Sequence, residues 1–82
     1  MGKEVVNKKG EVFYEAEGVV KSYNTETGYG FIFSIDEEED IYFHFTQLIN
    51  ESKTIKIGAK VGFIYRALEG KGLRAYLVKE IA

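Results

Sequence analysis

Residues 27–35 read Thr-Gly-Tyr-Gly-Phe-Ile-Phe-Ser-Ile, and a related stretch, Ile-Tyr-Phe-His-Phe, follows at residues 41–45. Both stretches are rich in aromatic and β-branched residues, which is typical of β-strands. Because alternate side chains of a strand share a face, Tyr29, Phe31 and Phe33 are expected to form one row of rings. The glycines between them indicate a place where another backbone or a ligand comes close.

The second stretch is predicted to return antiparallel to the first, since the acidic Asp-Glu-Glu-Glu-Asp segment between them favours a solvated turn. On the returning strand, Tyr42 and His44 share one face and lie opposite Ile41, Phe43 and Phe45. The two strands together can present a flat patch of rings. A chain this small cannot bury both faces of these strands, so part of the patch is expected to be exposed and functional.

Composition excludes several classes of function. The chain has 82 residues with 11 basic and 13 acidic side chains, one histidine and no cysteine. These numbers indicate one small domain without disulfides, zinc or other cofactors. An enzyme has little support, because no nucleophile stands beside a base. The net charge of −2 argues against gripping duplex phosphates by bulk charge, so any nucleic-acid binding would depend on stacking.

No part of the sequence is apolar over enough residues to cross a membrane, and no apolar run follows the charged N-terminus as in a signal peptide. A cytoplasmic protein without a membrane partner is therefore expected. A monomer is the expected state, with a dimer through the flat ring face or a strand edge as the alternative.

The first 17 residues are predicted to be either a loose arm or a short hairpin, ahead of a domain over residues 18–82. A hairpin is favoured because Val12, Phe13 and Tyr14 are costly to leave exposed. Residues 17–24 form the predicted first strand of the main sheet, followed by turn residues at 24–28. In that strand, simple alternation places Val19, Lys21 and Tyr23 on one face, an assignment that a β-bulge would change.

Two further strands are predicted at residues 61–66 and 73–81, separated by a glycine turn. Between the ring strands and these, Thr46 is suited to cap a helix, but the segment is too short for more than one turn. The prediction is an all-β fold in which five short strands form a small closed sheet, with an extra N-terminal hairpin as an option.

The sequence of residues 18–78 resembles the cold-shock domain. The family's first strand, Gly-x-Val-Lys-Trp-Phe-Asn, corresponds to Gly-Val-Val-Lys-Ser-Tyr-Asn at residues 18–24. Its Lys-Gly-Phe/Tyr-Gly-Phe-Ile motif corresponds to residues 27–32, and its Asp-Val-Phe-Val-His-Phe-Ser motif to residues 40–46. Two motifs in the right order and spacing make the resemblance specific.

The resemblance implies a five-stranded antiparallel OB-type barrel that binds single-stranded RNA or DNA, with bases stacked on its aromatic face. It also implies a preference for pyrimidine-rich strands and a role as an RNA chaperone in stress responses, or as a regulator of transcription or translation. The predicted nucleic-acid-binding residues are Lys21, Tyr23, Tyr29, Phe31, Phe33, Tyr42, His44, Phe45, Lys71 and Arg74.

Two departures from the family pattern weaken the predicted binding. Ser22 stands where the family has tryptophan, and Thr27 stands where it has a basic residue. A stacked base is worth about 1 to 3 kcal/mol, so the loss of one or two rings would lower affinity strongly. Phe33 extends the row of rings and would compensate in part.

Two alternatives from other classes follow from the same residues. An RNA-recognition motif also uses a glycine-aromatic strand, but it requires two long helices that this sequence does not predict. A module whose nucleic-acid face is partly lost would instead use its rings or its N-terminal arm to bind a protein or a second copy of itself. That second alternative predicts no response to oligonucleotides.

Overall fold

The computed structural model describes residues 3–34, 38–49, 55–68, 70 and 72–81. The described chain is almost entirely extended, as the alternating patterns predict, with one short 3₁₀ turn. The elements are β1 (Glu4–Val6), β2 (Val12–Tyr23), β3 (Tyr29–Ser34), β4 (Glu39–His44), the 3₁₀ turn (Phe45–Gln47), β5 (Lys60–Leu68) and β6 (Gly72–Glu80).

Strands β2 to β6 close into a barrel. In sheet order β1-β2-β3-β4-β6-β5, strand β2 also pairs with β5, which brings the two ends of the sheet together. The pairs β2–β3, β3–β4, β2–β5 and β5–β6 are antiparallel, which confirms the predicted five-stranded OB-type barrel in most of its pairings. The contact between β4 and β6 is parallel, at Tyr42 and Arg74, so the expectation of a wholly antiparallel sheet is wrong at this seam.

The N-terminal segment forms the predicted hairpin rather than a loose arm. β1 pairs with the start of β2, with Val5 opposite Phe13. The turn is held by Asn7, whose side-chain oxygen accepts hydrogen bonds from the backbone N–H groups of Lys9 (3.0 Å) and Glu11 (2.9 Å). Phe13 is only 8% exposed, as expected if this segment is ordered.

Strand β2 is longer than the sequence pattern predicts. It begins at Val12 rather than at residue 17 and runs without a break through the boundary drawn between the arm and the domain. Its first half pairs with β1 on one side and with β5 on the other, for example Tyr14 with Tyr65. The hairpin is therefore an extension of a barrel strand.

The barrel interior is filled by apolar side chains that alternate along the strands. These side chains come from every barrel strand and from the segment between the 3₁₀ turn and β5. The core consists of Ala16, Val20, Ile32, Ile41, Phe43, Leu48, Ile55, Val61, Phe63, Tyr65, Ala75 and Val78. On β3, residues 30, 32 and 34 face this interior, so residues 29, 31 and 33 must face outward.

Candidate nucleic-acid interface

Rings on the outer face of β3 and β4 form what we call the aromatic patch. On β3, Tyr29, Phe31 and Phe33 are 42%, 43% and 39% exposed, although strand aromatics of this size are normally sheltered. The register places Tyr29 opposite His44 and Phe31 opposite Tyr42, as expected for a short antiparallel pair. The members of the aromatic patch are Tyr29, Phe31, Phe33, Tyr42, His44 and Phe45.

Most of these rings touch one another. The rings of Tyr29 and Tyr42 stack with centroids 4.9 Å apart, and Tyr29 lies 4.5 Å from His44. Phe31 meets Tyr42 edge to face at 6.0 Å. Such contacts restrict the rings, so a base that stacks on them meets a largely preformed surface.

A glycine on the inner side of β3 and another just before the strand allow close approach to neighbouring residues. A Cβ at Gly30 would lie 2.4 Å from the carbonyl oxygen of Ser22 and 2.8 Å from the ring of Phe43. A Cβ at Gly28 would lie 2.4 Å from the ring of Phe45, and the φ of Gly28 is +81°. The predicted close approach is therefore made by the chain's own backbone and rings.

The end of β4 turns Phe45 toward the aromatic patch. The strand ends at His44, and the 3₁₀ turn that follows leaves Phe45 37% exposed with its ring 4.7 Å from that of His44. Simple alternation, which groups Phe45 with the buried Phe43, is wrong for this reason. Thr46 is also not the cap: the Nδ1 atom of His44 accepts the hydrogen bond from the Thr46 backbone N–H (3.4 Å).

Tyr23 lies on the other side of the sheet from the aromatic patch. The register between β2 and β3 shifts between Val20 and Ser22, so a β-bulge exposes both Lys21 and Ser22. Tyr23 is then returned to the core side, where its ring stacks on Phe43 with centroids 5.9 Å apart and an interplanar angle of 9°. The alternation that grouped Tyr23 with Lys21 is therefore wrong.

Two of the three predicted cations lie beside the patch. The ammonium of Lys21 is 3.1 Å from the carboxylate of Asp40, which stands opposite Phe33 at one end of the patch. Arg74 lies at the other side, with its guanidinium carbon 5.7 Å from the ring centre of Tyr42. Lys71 is outside the described residues.

Acidic side chains lie at one end of the patch, where Asp40 stands opposite Phe33. Glu38 and Glu39 are exposed, in keeping with the expected solvated turn, while residues 35–37 lie outside the described chain. Burial, together with the hydrogen bond that the Tyr42 hydroxyl donates to Tyr29, raises the pKa of Tyr42 and favours its neutral phenol. The Tyr42 ring thus offers a neutral surface to an anionic strand.

Sequence reasoning missed two residues beside the patch. Leu68, at the end of β5, borders the same cleft as Tyr29, Phe31 and Arg74. Tyr76 contacts the guanidinium of Arg74 at 5.5 Å. The spacing of two between residues 74 and 76 on one strand could have identified Tyr76, whereas nothing local in the sequence brings Leu68 to this cleft.

Within the described ranges, histidine, aspartate and glutamate side chains form no group of three that could hold a metal ion. The same part of the chain contains no helix that is long and apolar enough to cross a membrane.

Comparisons with known proteins agree with this geometry. The family model described as the 'Cold-shock' DNA-binding domain matches residues 16–81. The major cold shock protein of Streptococcus pyogenes serotype M1 is 43% identical over 49 residues, covering 58% of this chain and 72% of that protein. The cold shock-like protein CspB of Escherichia coli K12 is 38% identical over 47 residues, covering 56% of this chain and 66% of that protein.

Among solved structures, one described as drosophila Unr CSD456 superposes with a TM-score of 0.69 at 25% sequence identity. That match covers 83% of this chain but only 27% of the Unr chain.

The barrel with exposed rings on neighbouring strands is that of an OB-fold nucleic-acid-binding domain. The chain belongs to the cold-shock DNA-binding domain family, whose members bind nucleic acids and are not enzymes.

Proposed function

We propose that the chain binds single-stranded RNA or DNA by stacking bases on the aromatic patch, with a preference for pyrimidine-rich strands. It would act as an RNA chaperone or as a regulator of transcription or translation, in the cytoplasm and as a monomer. The observation that carries the proposal is the exposure of three β3 rings, each about two-fifths exposed, over a strand whose other face is buried. The barrel does not need these rings for its core. The bases of single-stranded nucleic acids stack on exposed aromatic rings of this kind.

The charges around the patch support modest affinity. The ammonium of Lys21 is available to phosphate only in competition with Asp40, and the net charge of the chain is −2. Few phosphate contacts mean a shallow dependence of affinity on salt, because few counterions are released. Stacking on the patch must then supply most of the binding free energy.

The proposal is tested by titrating the chain with short thymidine or uridine strands and following tyrosine fluorescence at two salt concentrations. Phe31→Ala should weaken binding by about 1 to 3 kcal/mol, because it removes one exposed platform. Tyr14→Ala is the matched control: Tyr14 is 41% exposed on β2, and its ring neighbours Tyr65 outside the patch. Equal weakening by both variants, or no binding by the unaltered chain at high micromolar concentration, would overturn the proposal.

A second candidate is a module for protein binding or self-association. It is favoured by a cleft of about 330 Å³ away from the patch, which includes Ala16 and Phe63 and is bordered by Ile49 and Leu77. The side chains of Ile49 and Leu77 are both 55% exposed. This candidate predicts a concentration-dependent size in solution and no response to oligonucleotides, so sedimentation in the same buffer separates it from strand binding.

A further inference from the structure

A cleft of about 410 Å³ continues the aromatic patch across the seam of the barrel. Its walls are Tyr29, Phe31 and Tyr42 on one side and Leu68 and Arg74 on the other. Tyr42 and Arg74 are direct partners in the parallel contact between β4 and β6, so the cleft is fixed by the closure of the barrel. It combines apolar walls with a single cation, the usual make-up of a site that takes a flat polar ring.

Arg74 is held in place by aromatic rings. Its guanidinium carbon lies 5.7 Å from the ring centre of Tyr42 and 5.5 Å from that of Tyr76. Both contacts are within the range of cation–π attraction, and together they restrict the side chain. The guanidinium therefore enters the cleft as an oriented set of donors rather than as a freely moving charge.

One hydrogen-bond donor of Arg74 is left unused within the described chain. Its Nε atom is buried and has no hydrogen-bond partner there. A buried donor left unpaired costs free energy that a bound acceptor would recover. The same part of the chain offers Arg74 no ion pair.

A neighbouring arginine makes this arrangement more costly. Arg66 of β5 stands directly opposite Arg74, and like charges in opposite positions are destabilising. Arg66 is neutralised by an ion pair with Glu11 and lies over the ring of Phe13 at 5.6 Å. Arg74 lies over two rings but has no ion pair among the described residues, so no opposite charge there compensates its own.

The donors of arginine select among bases. Guanidinium is a fork of N–H groups without an acceptor, so it pairs best with two adjacent acceptor atoms. Guanine offers O6 and N7 on its Hoogsteen edge, and cytosine offers O2 and N3 on its Watson–Crick edge, which is free in a single strand. On the Watson–Crick edges of thymine, uracil and adenine, each acceptor has a donor next to it, so these bases match the paired N–H groups of arginine poorly.

We propose that this cleft takes one base with two adjacent acceptors, guanine or cytosine, from the strand that binds the aromatic patch, and that Arg74 recognises its edge. The inference rests on the proposed function, since it concerns one position of the same strand. It assigns base selectivity to Arg74, whereas stacking on the remaining rings tolerates any base.

The test uses short thymidine strands in which a single guanine, cytosine or adenine is moved through each position in turn. At one position, guanine or cytosine should bind on the order of 5- to 100-fold more tightly than thymidine, the usual gain from a bidentate arginine contact. Adenine should bring no gain, and the guanine and cytosine series show which base is preferred.

Arg74→Lys is the deciding variant because it keeps the charge and removes the fork. We expect it to abolish the gain, measured within the variant as the ratio of its affinities for the substituted and the plain thymidine strand, and Arg66→Lys is the matched control that should keep this ratio. Thermal melts are used to check that both variants fold. If Arg74→Lys does not fold, Arg74→Gln takes its place in the test.

Two results would overturn the inference while leaving the proposed function intact. One is binding of thymidine strands with no favoured position for guanine or cytosine. The other is an equal loss of affinity for all strands in Arg74→Gln, with a shallower salt dependence, which would make Arg74 a phosphate contact. If no strand binds, the proposed function fails and the inference fails with it.

Discussion

The two faces of strand β3 differ sharply in solvent exposure. On the inner face, Ile32 and Ser34 are fully buried, while on the outer face every ring is about two-fifths exposed. Residues one position apart on the strand thus contribute to different properties. The inner face contributes to the stability of the barrel, and the outer face is available for binding.

A separation of this kind is possible because the pleat assigns alternate residues to opposite sides without exception along β3. The pairing partners keep the same division: Ile41 stands opposite Ile32 on the inner side, and Tyr42 opposite Phe31 on the outer side. Substitutions on the two faces should therefore separate the free energy of unfolding from the free energy of binding.

The largest effect is expected from Ile32→Ala, which should lower the free energy of unfolding by about 2 to 5 kcal/mol. Ile32 is 0% exposed and lies in the core, so truncation leaves a cavity that its neighbours cannot fill. Urea unfolding followed by circular dichroism measures the change. Phe31→Ala, one position away on the outer face, should cost about 1 kcal/mol or less in the same experiment. A larger loss from Phe31→Ala than from Ile32→Ala would contradict the separation of the faces.

The glycines provide a second contrast. Gly30→Ala should lower the free energy of unfolding by about 1 to 3 kcal/mol, because its Cβ would clash with the backbone oxygen of Ser22 and with the ring of Phe43. Gly62→Ala is the matched control on β5, where a Cβ meets no atom within 4 Å. Removing that glycine should be neutral or stabilising by up to about 1 kcal/mol. Thermal melts of the two variants settle the comparison, and equal destabilisation would refute the close approach at Gly30.

The outer face of β3 could be predicted from the sequence because its signal is local. Alternating rings and glycines between residues 28 and 33, followed by a second ring strand, determine which side chains share a face. The N-terminal hairpin was predictable for a similar reason, since Phe13 needed shelter and Asn7 and Gly10 suit a turn. The resemblance to the family motifs then predicted the barrel and its nucleic-acid-binding class.

The features that the sequence did not predict depend on non-local geometry. The bulge between Val20 and Ser22 shifts Tyr23 to the core side, and no residue type in that strand marks it. The cleft beside Arg74 forms because β4 and β6 meet in parallel across the closure of the barrel, at residues far apart in the chain. Alternation along single strands cannot locate such a seam.

A third prediction adds a ring to the outer face. Ser22 is exposed and paired with Phe31, so Ser22→Trp should extend the aromatic patch onto β2. Affinity for thymidine or uridine strands should rise by about 1 to 3 kcal/mol, while the free energy of unfolding should change by less than about 0.5 kcal/mol. Fluorescence titration with the new tryptophan as reporter measures the affinity. Ser22→Leu is the control for apolar area without a stacking surface, and an equal gain from it would show that stacking is not the cause.

The smallest effect is expected from a charge on the outer surface of the hairpin. The Glu11 side chain accepts a hydrogen bond from Asn7 (2.8 Å) and pairs with Arg66, and these contacts lower the pKa of its carboxyl group. A carboxyl whose pKa is lower in the folded state stabilises the fold at pH values above its unfolded pKa, which is about 4.3. That contribution is lost as the pH falls through the folded pKa.

Glu11→Gln should therefore be less stable than the unaltered chain near neutral pH, with the difference shrinking as the pH falls below about 4. Urea midpoints between pH 7 and pH 3 measure this difference. Glu17→Gln is the matched control, because its carboxylate lies 3.9 Å from the ammonium of Lys60 and both side chains are largely exposed. Parallel pH profiles for the unaltered chain and Glu11→Gln would mean that the Glu11 contacts do not hold the hairpin to the barrel. If the two profiles converge at low pH, the Glu11 carboxylate contributes to stability, unlike the outer rings of β3.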